Sequence, residues 1–375
     1  MIERVLTDLK LKDKDLQPFE VTDPMHPMHT LKGFISRKSD HRYGAVVITH
    51  INDKEAYQVH YATPKQHYPF GRDGRYCFPK AKEIEVYEKL DGTNVCAYRY
   101  HFEDRVFQTY KLRLFPVLRN SKWGNFLDFW KEMMEKYPQV ADICAANDCN
   151  VSFELYGSRN THLIVYDVPL EIALLFGVDR GGGIISPSKM DTHGLPTARL
   201  MATIKSGKEL AVEYNRFREE IEKSNTENPD ETIKGAEGVV WYLRDEEETI
   251  TQFKCKPESI ETIHWGTGAI DINAIKATAH NVLETEDTIT YEATVELLKE
   301  EFSDEQVEIS EARIRKVVEG LRQWYEFQKK VMDIYQSIGV NFHEDKGTVM
   351  RAMSKHFPKS MMKRVGFIMN EMPRP

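Results

Sequence analysis

Hydrophobic periodicity changes character once along this chain, after Pro257, and that change constrains the fold more than any other feature. Up to that point apolar residues alternate with polar ones in short runs, the period of half-buried strands. From Lys32 to Tyr61 the runs are LKGFISRK, YGAVVITHI and YQVHYAT, followed by a Gly-, Pro- and aromatic-rich loop from Pro64 to Pro79. EIEVYEKLDGTNVCAYRYHFEDRVFQTYKLR predicts three strands with turns at Asp91-Gly92 and Glu103-Asp104. VSFELYG, HLIVYDV, EIALLFGV, EGVVWYL and TITQFKCK predict five more, the last two flanking the acidic turn Asp245–Glu248. Helical spacing interrupts this pattern over Phe126–Tyr137, over Val140–Ala146 after Pro138, and over Met201–Ser224. From Asp271 to Pro375 there is little β signal and several amphipathic runs, the longest from about Ser310 to Ile338. The expected architecture is therefore α+β: a mostly antiparallel-sheet domain over 1–268, with a β-rich extension over 1–80, and an all-helical domain over 269–375.

Several classes are excluded early. No apolar run approaches the ~18–20 residues of a membrane span, and MIERVLTDLKLKDKD has no uninterrupted apolar stretch that would make it a signal peptide. Cys77, Cys96, Cys144, Cys149 and Cys255 are odd in number and form no CxxC pair, the usage expected of free thiols in a cytoplasmic protein. Cys144 and Cys149 have no histidines at ligand spacing. The net charge of −8 argues against a non-specific nucleic-acid coat. The last thirty residues reverse that sign, with Lys346, Arg351, Lys355, Lys359, Lys363, Arg364 and Arg374 against Glu371 alone. Gly181-Gly182-Gly183 is not followed by GK[ST], so it predicts a turn between strands rather than a Walker loop. Phe126, Phe129 and Trp130, and likewise Trp324, Tyr325 and Phe327, are expected in cores.

The chemistry concentrates in five short segments that occur in order, each on a predicted strand and each placing a charge in an apolar setting. They are Lys89-Leu90-Asp91-Gly92, FELYG (153–157), IALLFGVDR (172–180), EGVV (237–240) and FKCK (253–256). Lys254 and Lys256 alternate on one strand, so both point to the same face.

From Arg42 to Lys256 this series resembles the covalent nucleotidyltransferase superfamily, and within it the phage-type single-strand RNA ligases. KLDGTN extends the nucleophile motif with Thr93 and Asn94. FELYGSRNTHLIVY is similar, at expanded spacing, to FE-x-x-SPxNRIV, and LLFGVDRGGGIISP to the LLxxRxxxTGEY strand and turn. Upstream, HRYGAVVI and TPKQHYPF resemble RGIVF and KFFN. The resemblance implies an ATP-grasp-like ligase domain with Lys89 as the nucleophile that takes AMP from ATP, while the helical pattern after the FKCK strand predicts no OB-fold, which DNA ligases and guanylyltransferases usually carry there. It implies that Lys254 and Lys256 serve the phosphates, that Glu237 is a metal-side carboxylate for Mg²⁺ or Mn²⁺, and that Glu154 contacts the ribose. Phe176, or Leu175 in the other register, covers the adenine. Asp91, Gly92 and Asn94 belong to the nucleotide site. Arg42 and Lys65 match upstream positions that grip phosphates, and Lys111 or Arg113 the basic residue after the nucleophile motif.

An attacking lysine must be a neutral amine although its ordinary pKa is about 10.4. Nearby cations disfavour the ammonium, and positioned lysines and metal stabilise charge developing on phosphate oxygens. The implied function is an ATP-dependent RNA ligase that joins 5′-phosphate and 3′-hydroxyl RNA ends, as a monomer or dimer, in the cytoplasm or, if phage-encoded, in that of the host. A DNA ligase or mRNA guanylyltransferase of the same superfamily is the alternative, and a non-catalytic nucleotide- or RNA-binding relative a third. The helical domain is expected either to contribute RNA specificity or to cap the core sheet.

Overall fold

The computed structural model describes residues 1–71, 74–205, 209–227, 233–257 and 269–370. The expected domain boundary at 268, and the charges of Arg374 and Glu371, lie outside them. Strands β1 (Leu16–Thr22), β2 (Thr30–Ser36), β3 (Val46–Ile51) and β4 (Lys54–His60) form an antiparallel meander after a short helix Ile2–Asp8. Next come β5 (Glu83–Lys89), β6 (Thr93–Phe102), β7 (Arg105–Leu112), β8 (Asn150–Tyr156), β9 (Glu171–Val178) and the short β10 (Ile184–Ile185). Then follow β11 (Leu200–Lys205), the two-residue β12 (Thr226–Glu227) and β13 (Ile233–Lys234), β14 (Gly238–Arg244) and β15 (Ile250–Cys255).

Two antiparallel sheets are built from these, in the orders β10-β9-β8-β6-β7 and β11-β5-β14-β15. The turn at Glu103-Asp104 closes the β6–β7 hairpin with both residues at positive φ, 48° and 60°, as a tight two-residue turn requires. The turn at Asp91-Gly92 instead carries the chain from one sheet to the other, since β5 pairs with β11 and β14 while β6 pairs with β7 and β8. A Cβ on Gly92 would stand 2.3 Å from the Leu155 carbonyl oxygen, so this crossing needs glycine. The glycine triplet 181–183 is a turn between β9 and β10, where the Gly181 and Gly183 amides donate to Asp179.

Two segments differ from expectation. HLIVYDV makes one isolated bridge, Ile164 to Ile233, and no ladder. Its Leu163 and Ile164 amides donate to the Asp91 carboxylate (2.6 and 2.7 Å), so a side chain replaces the strand partner. Met201–Ser224 divides: Leu200–Lys205 is a strand along β5, and the helix begins at Leu210, burying Tyr214, Phe217 and Ile221. β-Branched and aromatic pairing against β5 outweighs helical spacing there.

The residues described between 269 and 370 form helices and no strand: Ile272–Val282, Tyr291–Leu298, Asp304–Ile309, Glu311–Ile338, Lys346–Met353 and Met362–Asn370. Ile270, Ile275, Ala279, Leu283 and Ile314 are buried in one core with Val95, Phe126, Trp130, Phe153 and Leu174 of the sheet side. Val331, Phe342, Val349, Met353, Val365 and Met369 form a separate core, with Trp324 and Phe327 packed against it. The 28-residue helix Glu311–Ile338 carries its first half into one core and its second half into the other. Tyr325, between them, stacks on Trp123 with ring centroids 5.2 Å apart. None of the described helices is long and apolar enough to cross a membrane.

Candidate functional site

Strand register assembles the site. Lys89 ends β5 opposite Gly238, the first residue of β14, and Val240 stands opposite Lys254 on β15. Lys89, Glu237, Lys254 and Lys256 are thereby gathered at one end of this sheet. A Cβ on Gly238 would lie 2.3 Å from the Cys255 carbonyl oxygen, so glycine is what lets β14 approach β15 beside the two lysines. Between them Cys255 is fully buried on the opposite face, against Tyr214, as strand alternation requires.

Glu237 is the electrostatic centre. Its Oε2 accepts from Lys89 Nζ at 2.5 Å and its Oε1 lies 2.7 Å from Lys256 Nζ. Burial alone would raise this carboxyl, but Lys256 and Lys89 outweigh burial and hold it at about 2. Burial works against the Lys256 ammonium, yet Glu237 turns the balance and raises its pKa. Lys254 has a different partner, Glu301 at 3.3 Å, and lies 4.5 Å from the Tyr68 ring centroid. Desolvation lowers Lys254 to about 8. The cavity these groups face is closed by β8 and β9: Glu154 is buried and pushed up to about 8 by desolvation, against the pull of Lys89 and Arg113. Leu175, Phe176, Ala198, Val240 and Tyr242 form its apolar side. The Tyr242 hydroxyl donates to the Leu175 carbonyl at 3.1 Å and its ring meets Phe176 edge-on. Both candidates for an adenine cover therefore line the same wall.

Of the other expected residues, Lys65, Asp91, Gly92, Asn94 and Arg113 line the cavity. The Lys254 amide donates to the His67 carbonyl, which pins the 64–70 loop to β15 and brings Lys65 within 3.1 Å of Glu300 and 3.2 Å of Glu301. Asp91 is committed to the loop amides. Its amide donates to the Tyr166 hydroxyl at 2.7 Å, so it braces the floor under Lys89. Asn94 donates to Ser152 and to the Phe153 carbonyl, while its Oδ1 is buried without a partner.

Arg113 and Lys111 are separated by the end of β7, since Lys111 lies within the strand and Arg113 follows its last residue, Leu112, where alternation no longer holds. Arg113 faces the cavity with an unpartnered buried Nε, whereas Lys111 turns into the protein and donates to the Leu112 and Arg113 carbonyls. Arg42 is not among the lining residues. It is tied to Asp40 and to the carbonyls of Leu9 and Lys10, fastening the N-terminal helix.

Sequence patterns alone do not single out His162, Asn273, Thr278, Asn281 and Glu301, yet all five line the cavity. Asn273, Thr278 and Asn281 come from the helix Ile272–Val282 and Glu301 from the turn after Leu298, so the helical part walls one side. The three helix residues are half-buried and lie towards one helix face, but nothing local says against what it packs.

Among the described residues no group of three or more His, Cys, Asp or Glu could hold a metal ion. Glu237 offers a single carboxylate whose two oxygens already bear ammonium groups. A Mg²⁺ or Mn²⁺ would therefore find one carboxylate here and no protein-only cage among the described residues.

No protein-family profile matches the chain, and no curated protein matches it in sequence. Solved structures it is similar to include two of an "Archaeal ATP-dependent RNA ligase". Form 1 has 13% identity and a TM-score of 0.44 over 82% of this chain and 77% of that one. Form 2 has 11% and 0.44 over 99% and 96%. A "Putative ATP-dependent DNA ligase from Aquifex aeolicus" has 15% and 0.42 over 88% and 81%. Values this low assign neither fold nor activity.

Proposed function

We propose that the chain is an ATP-dependent RNA ligase working through lysyl-AMP on Lys89. The observation that supports this best is the triad Lys89–Glu237–Lys256 in a cavity that also holds Lys254, Lys65, Arg113, Glu154 and an apolar wall. A nucleotide laid with its base against Leu175, Phe176 and Tyr242 directs its phosphates towards the lysines.

In the first step the Lys89 amine, its proton released to solvent, attacks the α-phosphorus. A P–N bond forms, the bond to pyrophosphate breaks, and Lys254, Lys256 and Lys65 receive the charge gathering on the phosphate oxygens. Glu237 holds Lys89 in line, and Glu154, protonated near neutrality, donates to a ribose hydroxyl. A bound divalent cation would add charge neutralisation at the phosphates. In the second step an RNA 5′-phosphate displaces Lys89 from the AMP phosphorus. In the third, a 3′-hydroxyl attacks the 5′-phosphate and AMP leaves.

RNA is favoured over the nick-sealing DNA ligases and the guanylyltransferases because those usually carry an OB-fold after the FKCK-type strand, whereas the described residues 269–370 are helical. On the last helix Val365, Ile368 and Met369 are buried, while Lys363 and Arg364 are exposed, as is nearby Lys359. Such a face suits a phosphate backbone.

Incubation with α-labelled ATP and Mg²⁺, followed by a denaturing gel, tests the reading. A covalent label lost in Lys89→Ala, with RNA ends joined in preference to DNA ends, is the expected result. Absence of label on the native chain, or full labelling of the variant, overturns it.

A further inference from the structure

Lys65 and Lys254 are the cavity lysines furthest from the Glu237 triad in their pairing: each is paired with carboxylates from another part of the chain. Glu301 lies 3.2 Å from Lys65 and 3.3 Å from Lys254. Glu300 lies 3.1 Å from Lys65, 3.6 Å from Arg37, and accepts from the Tyr43 hydroxyl at 2.8 Å. Arg37 is also held by Glu296 at 2.7 Å. The row Arg37–Glu300–Lys65–Glu301–Lys254 thus runs from the N-terminal sheet to β15, with both acids supplied by the turn between the helices Tyr291–Leu298 and Asp304–Ile309.

A phosphate oxygen could not take these positions while Glu301 stays there. Two anions sharing one pair of ammonium groups in a part-buried site repel strongly, because solvent screens them poorly. We propose that Glu300 and Glu301 are an acidic latch that stands in the outer-phosphate subsite and must be displaced by the nucleotide's β- and γ-phosphates. This rests on the reading that the cavity takes a nucleoside triphosphate. The turn itself does not leave: Leu298 and Phe302, on either side of it, are buried in the main core. Release is therefore a rotation of the Glu300 and Glu301 side chains, 16% and 30% exposed, and not a departure of the helices. Because Glu301 occupies both lysines, a polyphosphate that replaces it at Lys65 and Lys254 together is favoured over a nucleoside monophosphate.

Calorimetric titration of the full chain with inorganic tripolyphosphate tests this without requiring catalysis. Glu301→Gln is expected to bind about tenfold more tightly than the native chain, the effect of losing one charge-assisted competitor. Glu300→Gln is expected to bind more tightly by a smaller factor, and it serves should Glu301→Gln not fold. Unchanged or weaker binding by the folded variants overturns the latch. Labelling with ATP in parallel separates the two readings. Tighter tripolyphosphate binding beside a native chain that never forms lysyl-AMP keeps the latch and removes the ligase reading. A labelled native chain with unchanged affinities in the variants removes the latch alone.

Discussion

Lys89 and Glu237 meet at 2.5 Å because Lys89 pairs across the sheet with Gly238, the residue after Glu237. The amine and its carboxylate are 148 residues apart in sequence, and the β5–β14 register alone brings them together. Perturbing that register should therefore disable the site even where no charged group is touched.

Gly238→Ala is the direct case. The added Cβ must displace the Cys255 carbonyl, and overpacking of this kind costs about 1–3 kcal/mol. A lowered unfolding midpoint in denaturant together with loss of ATP labelling is expected. A stable, fully labelled variant would show that the close approach of β14 to β15 is dispensable.

Lys254→Ala and Lys256→Ala should each reduce self-adenylation by ~10²-fold, the scale of losing one positioned electrostatic group. The two should differ in stability. Loss of Lys256 removes one of the two ammonium groups on the buried Glu237, whereas loss of Lys254 removes a partner of the partly exposed Glu301. Rates and unfolding curves measured on the same preparations check both statements.

Glu237 sets an acid limit. Its folded pKa, about 2, lies below the ordinary 4.5. Its contribution is therefore present above the unfolded value and is lost as pH falls from about 4.5 towards 2. Glu237→Gln should be less stable at neutral pH by about 3 kcal/mol, as when a buried ion pair loses one partner. It should also lack that acid-dependent decline. Parallel slopes for both proteins across this window would contradict the assignment.

Glu154 works in the opposite direction. Its folded pKa, about 8, lies above the ordinary 4.5. Its contribution is full below the unfolded value and is lost as pH rises through about 8. Glu154→Gln should gain stability relative to the native chain over that interval, by a few kcal/mol on the order of the shift. Unfolding free energies at pH 5, 7 and 9 decide the matter.

The exposed bases of the last helices can be tested without deleting a core. Lys359→Glu, Lys363→Glu and Arg364→Glu together should leave lysyl-AMP formation unchanged and weaken RNA binding. The slope of log affinity against log salt should flatten by ~0.7 for each phosphate no longer neutralised. Unaltered RNA binding would assign these helices to structure alone.

The primary sequence determined the charged residues of the site and the elements that carry them. Lys89, Glu154, Glu237, Lys254 and Lys256 sit on or beside short strands whose alternation is written locally, and all five reach one cavity. Period-two and period-3.6 patterns likewise marked most strands and the long helix, because burial of one face leaves a local trace. What reached beyond local pattern was decided by tertiary structure. HLIVYDV has a strand's composition, yet its Leu163 and Ile164 amides go to Asp91, more than seventy residues upstream. Lys111 and Arg113 were equivalent candidates until the chain left β7 after Leu112, with Lys111 bonded inward and Arg113 facing the cavity. Arg42 was committed to the first helix, which no spacing to Lys89 could reveal. The helical part carries no mark in its own sequence that Glu301 would face Lys254. A residue's intrinsic chemistry and its alternation are properties of a short segment, whereas its partner is fixed by which distant backbone passes within hydrogen-bonding distance.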